Sequence, residues 1–355
     1  MSSRIHHLYL HLPFCPSICP YCSFHVQRVD RPAMEKFSRE LRRDFETAVA
    51  LTGPLNRVET IFYGGGTPTV FSTAQLEAIG GIVAEFTEGS RPLEVSMEAN
   101  PATLSPAKAE TIRKLGVNRV SVGAQSFDAE VLRTLGRRHS VPSIEEAWTI
   151  LRNAGFENLN LDLIFGVPGQ SLESWKRTLE AALALRPEHL SCYGLTYEED
   201  TPFFERHRRG ELVANEPRET EMFEVAEETL EAAGFRHYEI SNYARPGREC
   251  RHNQAYWNGA DYLGVGPSAV STFGGKRRRM MEGVWAEIED VDDRIRAKER
   301  LLLGLRTDEG ADARGIEGEL LEALLAAGFA ELAGPKVRLT RAGRLRADAI
   351  ATYLC

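Results

Sequence analysis

The sequence has no apolar run near the roughly 18 residues that a membrane-spanning helix needs, so no transmembrane segment is expected. Its first residues do not read as a secretory leader either. His11 interrupts the only apolar stretch there, and no small-residue cleavage site follows. Cysteine is scarce, six in 355 residues, which excludes a disulfide scaffold. Positive charge is not in excess: 43 Lys and Arg stand against 51 Asp and Glu, a net charge of −8. A chain of that sign lacks the phosphate-neutralising surface of a non-specific nucleic-acid binder, so no nucleic-acid partner is expected. Fixed-period repeats and low-complexity tracts are also missing. What remains is ordinary for a globular protein, 43% hydrophobic and 26% charged. At this length folding buries roughly three quarters of the unfolded surface, enough for one large domain with an appendage or for two domains.

Strand-like and helix-like segments alternate up to about residue 240. The strand candidates are Ile5–Leu12, Val58–Tyr63, Leu93–Glu98, Asn118–Gln125, Asn158–Phe165 and His189–Leu195. Between them lie helical patterns such as Met34, Phe37, Leu41, Phe45 and Val49, spaced by three and four residues after Pro32. Gly116, Gly155, Gly234 and Gly328 each precede an apolar residue, the pattern of a helix closed by a left-handed glycine. This alternation predicts an α/β fold with a parallel sheet. The strands are apolar on one face only: Leu8, Leu10 and Leu12 against Tyr9 and His11; Leu93, Val95 and Met97 against Glu94, Ser96 and Glu98; the leucines of 159–163 against Asn160 and Asp162. A parallel sheet covered on both faces reads as continuous apolar runs instead. The expectation is therefore a partial barrel with a wet polar interior faced by Tyr9, Glu98, Gln125 and Asp162; an open sheet with one solvated face is the alternative. Arg236–Tyr243 reads as a further strand. A glycine-rich, irregular region follows to Gly283, in which Lys276–Arg279 reads as a solvated loop or as a cationic site for anionic ligand groups or an anionic membrane surface. Helical patterns at Arg294–Leu303 and Gly318–Ala327, a β element at Lys336–Leu339 and a helix from Thr340 suggest a small winged-helix-like α+β domain. The expected division is 1–240, 241–289 and 290–355.

Three of the six cysteines, Cys15, Cys19 and Cys22, fall in a C-x₃-C-x₂-C loop just after the first strand. Close thiols without a partner cluster suit a reducing compartment and a metal site, so a cytoplasmic location is expected. Three thiolates can hold three irons of a [4Fe–4S] cube and leave the fourth iron open to a small ligand. Zinc is the rival; it wants four ligands, and only His25 or a distant cysteine is on offer. A single histidine such as His252, in Cys250-Arg-His-Asn-Gln-Ala-Tyr256-Trp257, is by itself a satisfied structural residue or a metal ligand, with Cys250 as the competing ligand.

The cysteine motif resembles that of the radical S-adenosylmethionine (SAM) superfamily. Gly64-Gly-Gly-Thr-Pro-Thr69, Glu98-Ala-Asn-Pro101, Gly123-Ala-Gln-Ser-Phe127, Arg137-Arg-His139, Asp162-Leu-Ile-Phe-Gly-Val-Pro168, Tyr238-Glu-Ile-Ser-Asn242 and His252-Asn-Gln-Ala-Tyr-Trp257 are similar to its coproporphyrinogen dehydrogenase-like branch, above all to the HemW-type heme chaperones. The resemblance runs over nearly the whole chain. It implies a partial (β/α)6 radical SAM barrel. It implies a [4Fe–4S] cluster on Cys15, Cys19 and Cys22, with SAM on the open iron. Tyr9, Tyr21, Gly64, Gly65, Gly66, Thr67, Glu98, Gln125, Arg137 and Asp162 would form the SAM pocket. His252, Asn253, Tyr256 and Trp257 would contact heme. The implied function is to bind heme and transfer it to acceptor proteins, with peripheral membrane contact as a further implication. The alternative is a radical SAM enzyme acting on a tetrapyrrole, by coproporphyrinogen III dehydrogenation or anaerobic heme breakdown. Dehydrogenation is disfavoured because Phe24 stands where those enzymes carry a fourth cysteine. The chain also departs from the chaperone pattern at Gly266-Pro-Ser-Ala-Val270, where a histidine is usual at the last position, and at Met280–Met281, where an asparagine is usual.

Overall fold

A computed structural model describes residues 5–354. Alternation sets the first strand, β1 (His7–Leu12). Leu8, Leu10 and Leu12 are fully buried under the outer helices, and His7, Tyr9 and His11 take the inner face. The chain then enters α1 (Arg31–Thr52). Asp30 caps this helix by accepting from the Ala33 N–H, Pro32 sits in its first turn, and Met34, Phe37, Leu41 and Phe45 form the buried stripe. The same unit repeats through β2 (Thr60–Gly65), α2 (Thr73–Phe86), β3 (Glu94–Ala99), α3 (Pro106–Lys114), β4 (Arg119–Gln125), α4 (Ala129–Thr134), α5 (Val141–Asn153), β5 (Leu159–Phe165), α6 (Leu172–Ala184) and β6 (His189–Gly194). Ser72, Ser105 and Ser171 cap α2, α3 and α6 in turn. Gly116, Gly155, Gly234 and Gly328 have φ of 85°, 83°, 84° and 70°, as the sequence pattern requires.

Strands β1 to β6 pair in chain order and all in parallel, the layout of a partial (β/α)6 barrel. On the far edge α7 (Pro202–Arg208) and α8 (Glu216–Ala232) lead to an antiparallel pair, β7 (Arg236–Glu239) and β8 (Asn242–Ala244).

The region after residue 240 is more ordered than expected. It holds α9 (Arg251–Trp257) and four strands, β9 (Tyr262–Val265), β10 (Val270–Phe273), β11 (Lys276–Met281) and β12 (Val284–Asp290). β9 lies parallel to β1 on its free side and adds a seventh parallel strand, and β10 to β12 continue the sheet antiparallel. Lys276–Arg279 is therefore part of a strand and not a solvated loop. Lys276 pairs across the ladder with Glu287 at 2.8 Å, and Arg277 pairs with Glu289 across the ladder and with Glu299 beyond it.

The C-terminal unit runs α10 (Asp293–Leu305), β13 (Ala311–Asp312), α11 (Gly318–Ala326), β14 (Ala330–Ala333), β15 (Lys336–Leu339), α12 (Arg341–Arg344) and α13 (Ala347–Leu354). It has its own three-stranded sheet and its own core around Leu305, Leu324, Val337 and Ile350.

The inner face of the barrel is polar, as the alternation predicts, but its lower half is filled rather than wet. The Asn160 amide donates to Ser121 Oγ at 2.6 Å, Asp162 Oδ1 at 2.8 Å and Ser191 Oγ at 3.0 Å. Its carbonyl faces His189 Nδ1 at 2.6 Å, and His189 Nε2 meets the Tyr238 hydroxyl at 2.8 Å. Asn160 and His189 are fully buried, and burial holds the His189 imidazole neutral. With one ring proton, His189 donates from Nδ1 to the amide and accepts from Tyr238 at Nε2.

Candidate functional site

The loop after β1 carries the three thiols. Its stem is held by parallel pairing of Phe14–Cys15 with Gln27–Arg28, and a tight turn brings the Cys22 N–H to the Cys19 carbonyl at 3.1 Å. Cys15, Cys19 and Cys22 are all free and line one cavity of about 540 Å³. Thr67 Oγ1 donates to Cys15 Sγ at 3.5 Å. Arg137 donates to Cys19 Sγ at 3.6 Å and to the Gly123 carbonyl at 2.9 Å. The Arg137 Nε is buried without a hydrogen-bond partner.

The glycine run explains how this loop seats. Gly66 donates its N–H to the Leu12 carbonyl at 2.9 Å, and Thr67 to the Phe14 carbonyl at 2.8 Å. A Cβ on Gly66 would fall 2.7–2.8 Å from backbone atoms of Leu12, Pro13 and Phe14. Glycine is required there because the cysteine loop lies directly on the end of β2. Gly66→Ala is expected to lift the loop and lower iron incorporation severalfold while the barrel stays folded, read as iron per chain against far-UV circular dichroism. Full incorporation in that variant would show that the loop tolerates the shift.

Glu98, Ser121, Gln125 and Asp162 close the inner wall of this cavity, and Tyr21 closes its side. Glu98 Oε2 accepts the Gly65 N–H at 3.1 Å. Burial first, and the Asp162 carboxyl second, push Glu98 up to about 8, against the Gly65 N–H and Arg119, which favour its charge. Gln125 ends β4 with φ 67°, a left-handed backbone that costs about 1 kcal/mol or more in a residue with a side chain. Gly64 packs against Phe62 and Glu98 and is not among the cavity-lining residues.

A second cavity, of about 730 Å³, lies on the other side of Phe24 and shares Ser23, Phe24, Val26, Gly65 and Glu98 with the first. Tyr9 belongs here and not to the first cavity. Its hydroxyl donates to His11 Nδ1 at 3.0 Å, because His11 Nε2 carries the proton given to the His25 carbonyl at 2.7 Å. The Tyr256 hydroxyl group reaches His252, and its residue lines the cavity with Tyr262, His25 and Arg279.

His252 itself does not line either cavity. It is buried in α9, with Nδ1 on Thr60 Oγ1 at 2.8 Å and Nε2 on the Tyr256 hydroxyl at 3.0 Å. Burial lowers its imidazole to about 3. Neither nitrogen is free for a metal, so the expected ligand role lacks a donor atom here. Cys250 is fully buried, its thiol pushed up to about 12 by burial and donated to Glu94 at 3.4 Å. Asn253 and Trp257 are half-buried and outside both cavities.

The model of the radical SAM superfamily matches residues 9–182, from the first strand to α6. The protein named "Heme chaperone HemW" of Bacillus subtilis is 33% identical over 95% of this chain and 96% of its own length. The one of Mycobacterium tuberculosis is 36% identical over 98% of this chain and 94% of its own. The chain belongs to the HemW family of the radical SAM superfamily. A solved structure titled "Coproporphyrinogen III oxidase (HemN) from Escherichia coli is a Radical SAM enzyme" superimposes with a TM-score of 0.84 over 99% of this chain and 90% of that one. At 22% identity that likeness concerns the fold.

Membership in the superfamily implies a [4Fe–4S] cluster and SAM. The first cavity of this HemW-family chain fits both. Its three thiols line a common space, the donor set that three irons of a cube need. The orphaned Arg137 Nε offers a donor to an anionic group beside it. His11, Arg119 and Tyr193 were not singled out as site residues, although alternation along β1 and β4 already puts the first two on the polar face. No helix among the described residues is long and apolar enough to cross a membrane.

Proposed function

We infer that the chain binds heme and passes it to acceptor proteins, and that Cys15, Cys19 and Cys22 hold a [4Fe–4S] cluster whose fourth iron is left for SAM. End-to-end similarity to proteins named heme chaperones carries the reading. Phe24 supports it, since that position offers an exposed aromatic ring between the two cavities where the dehydrogenases have a thiol. When bound, the cluster and SAM supply reductive one-electron chemistry.

The chain's own residues divide the remaining work. Arg137 sets a guanidinium against Cys19 Sγ at 3.6 Å. Burial pushes the Cys15 thiol up, and the hydrogen bond that Thr67 donates to it offsets part of that rise. Glu98 offers a carboxyl to ribose hydroxyls, and Gln125, Asp162 and Tyr21 complete that wall. Tyr9 acts at a distance, holding His11 in the tautomer that pins the His25 backbone.

The test is anaerobic. Reconstituted protein is titrated with hemin and then mixed with a heme-free globin, and the Soret band is expected to form and then move to the globin. Conversion of coproporphyrinogen III to protoporphyrinogen in the presence of SAM and reductant would overturn the reading in favour of an enzyme.

A further inference from the structure

The second cavity has features that neither the cluster nor the SAM site uses. Four cations sit in succession on β11, and three are neutralised: Lys276 by Glu287, Arg277 by Glu289 and Glu299, and Arg278 by Glu287 at 3.8 Å with its Nη1 on the Phe273 carbonyl. Arg279 is exposed, lines the second cavity, and has no carboxylate partner among the described residues. An unpaired guanidinium at a cavity mouth is a site for a carboxylate or phosphate group.

The imidazoles divide in the same way. His11 has both ring nitrogens engaged, and His252 has both engaged and stands outside the cavity. His25 lines the cavity with its backbone fixed, through the carbonyl bond from His11, and its ring has no hydrogen-bond partner among the described residues. A held backbone with an uncommitted imidazole suits an axial ligand to iron. Phe24, one residue away and 68% exposed, supplies an apolar face beside it. The cavity's volume of about 730 Å³ lies within the range of small-molecule sites, roughly 300–1,000 Å³.

We propose that heme seats in the second cavity, with His25 as an axial ligand to its iron, Phe24 against the porphyrin and Arg279 paired with a propionate. The assignment rests on the heme-binding reading above and moves the ligand from His252 to His25.

The experiment is an optical titration of the cluster-loaded protein with hemin and with hemin dimethyl ester, whose propionates carry no charge. His25→Ala is expected to weaken hemin binding by about tenfold or more and to remove the imidazole-type Soret band, which added free imidazole restores. His252→Ala is expected to keep the imidazole-type band. Arg279→Gln is expected to lower hemin affinity about fivefold without changing the band, and the ester is expected to bind wild type and Arg279→Gln equally. The iron and sulfide content of each variant confirms that the cysteine loop is intact. An unchanged band and affinity in His25→Ala, or loss of the band in His252→Ala alone, would overturn the assignment while leaving heme binding standing. Wild-type protein that retains no hemin would overturn the heme reading itself.

Discussion

Cys15→Ala should yield a folded, colourless protein. Cys15 is half-buried on a loop and contributes nothing to the apolar core, so removing its sulfur leaves the barrel in place. What goes is one of three anchors, and two thiolates do not hold a cubane. Iron and sulfide analysis after anaerobic reconstitution should fall to near background, with loss of the broad charge-transfer absorption. SAM retention should go with it, because the iron that would chelate SAM is gone. Thermal unfolding of the unreconstituted protein should be the same as wild type to within about 1 kcal/mol, the scale of an ordinary substitution outside the core. Unchanged iron and sulfide would remove Cys15 from the ligand set and reopen the assignment of the whole loop.

Glu227→Ala should detach the C-terminal unit from the barrel. The Glu227 carboxylate on α8 is 1% exposed. It receives Arg341 and Arg344 of α12, and His237 Nδ1 lies 3.1 Å away. Removing it leaves the Arg344 guanidinium without a carboxylate and Arg341 with Glu228 alone. A buried pair broken from one side costs about 3 kcal/mol or more. The loss should appear as faster hydrogen exchange in α12 and α13, with the strands β1 to β6 unaffected.

The pH dependence has a defined sign. Burial alone would raise the Glu227 carboxyl, but the His237 hydrogen bond and the two arginines win and hold it at about 2, below its ordinary 4.5. A carboxylate held low contributes stability that is present above pH 4.5 and lost as pH falls towards 2. Wild-type docking should weaken over that window, and Glu227→Gln should show no such dependence there. Equal acid sensitivity in the variant would place the docking energy elsewhere.

The barrel half was legible because its signal is local. Alternation located all six strands to within two residues at either end, with Ile5–Leu12 observed as His7–Leu12 and Asn158–Phe165 as Leu159–Phe165. Helix caps and closing glycines are local in the same way.

The region from 241 to 289 was not legible because its order is set across the sheet. Lys276–Met281 looks like a solvated run until Glu287 and Glu289 of the next strand are placed opposite it. β9 is only four residues long, and what makes it a barrel strand is its register with His7–Leu10. The same limit applies to the site. Spacing brought Cys15, Cys19 and Cys22 together, and all but Tyr9 and Gly64 of the expected SAM pocket line the first cavity. Spacing could not reveal that Thr60 and Tyr256 occupy both nitrogens of His252, since those partners come from a distant strand and from the next turn of its own helix.

The wall between the two cavities has a thermodynamic consequence. Ser23, Phe24, Val26, Gly65 and Glu98 face both spaces, so any ligand that orders this wall changes the free energy of filling the other side. Such coupling is reciprocal: the factor by which one occupant alters the affinity of the second equals the factor returned. A coupling of about 1.4 kcal/mol through these five residues would change occupancy on either side tenfold. Loading of one chamber would then set when the other holds its cargo and when it lets go, with no hinge or moving domain required.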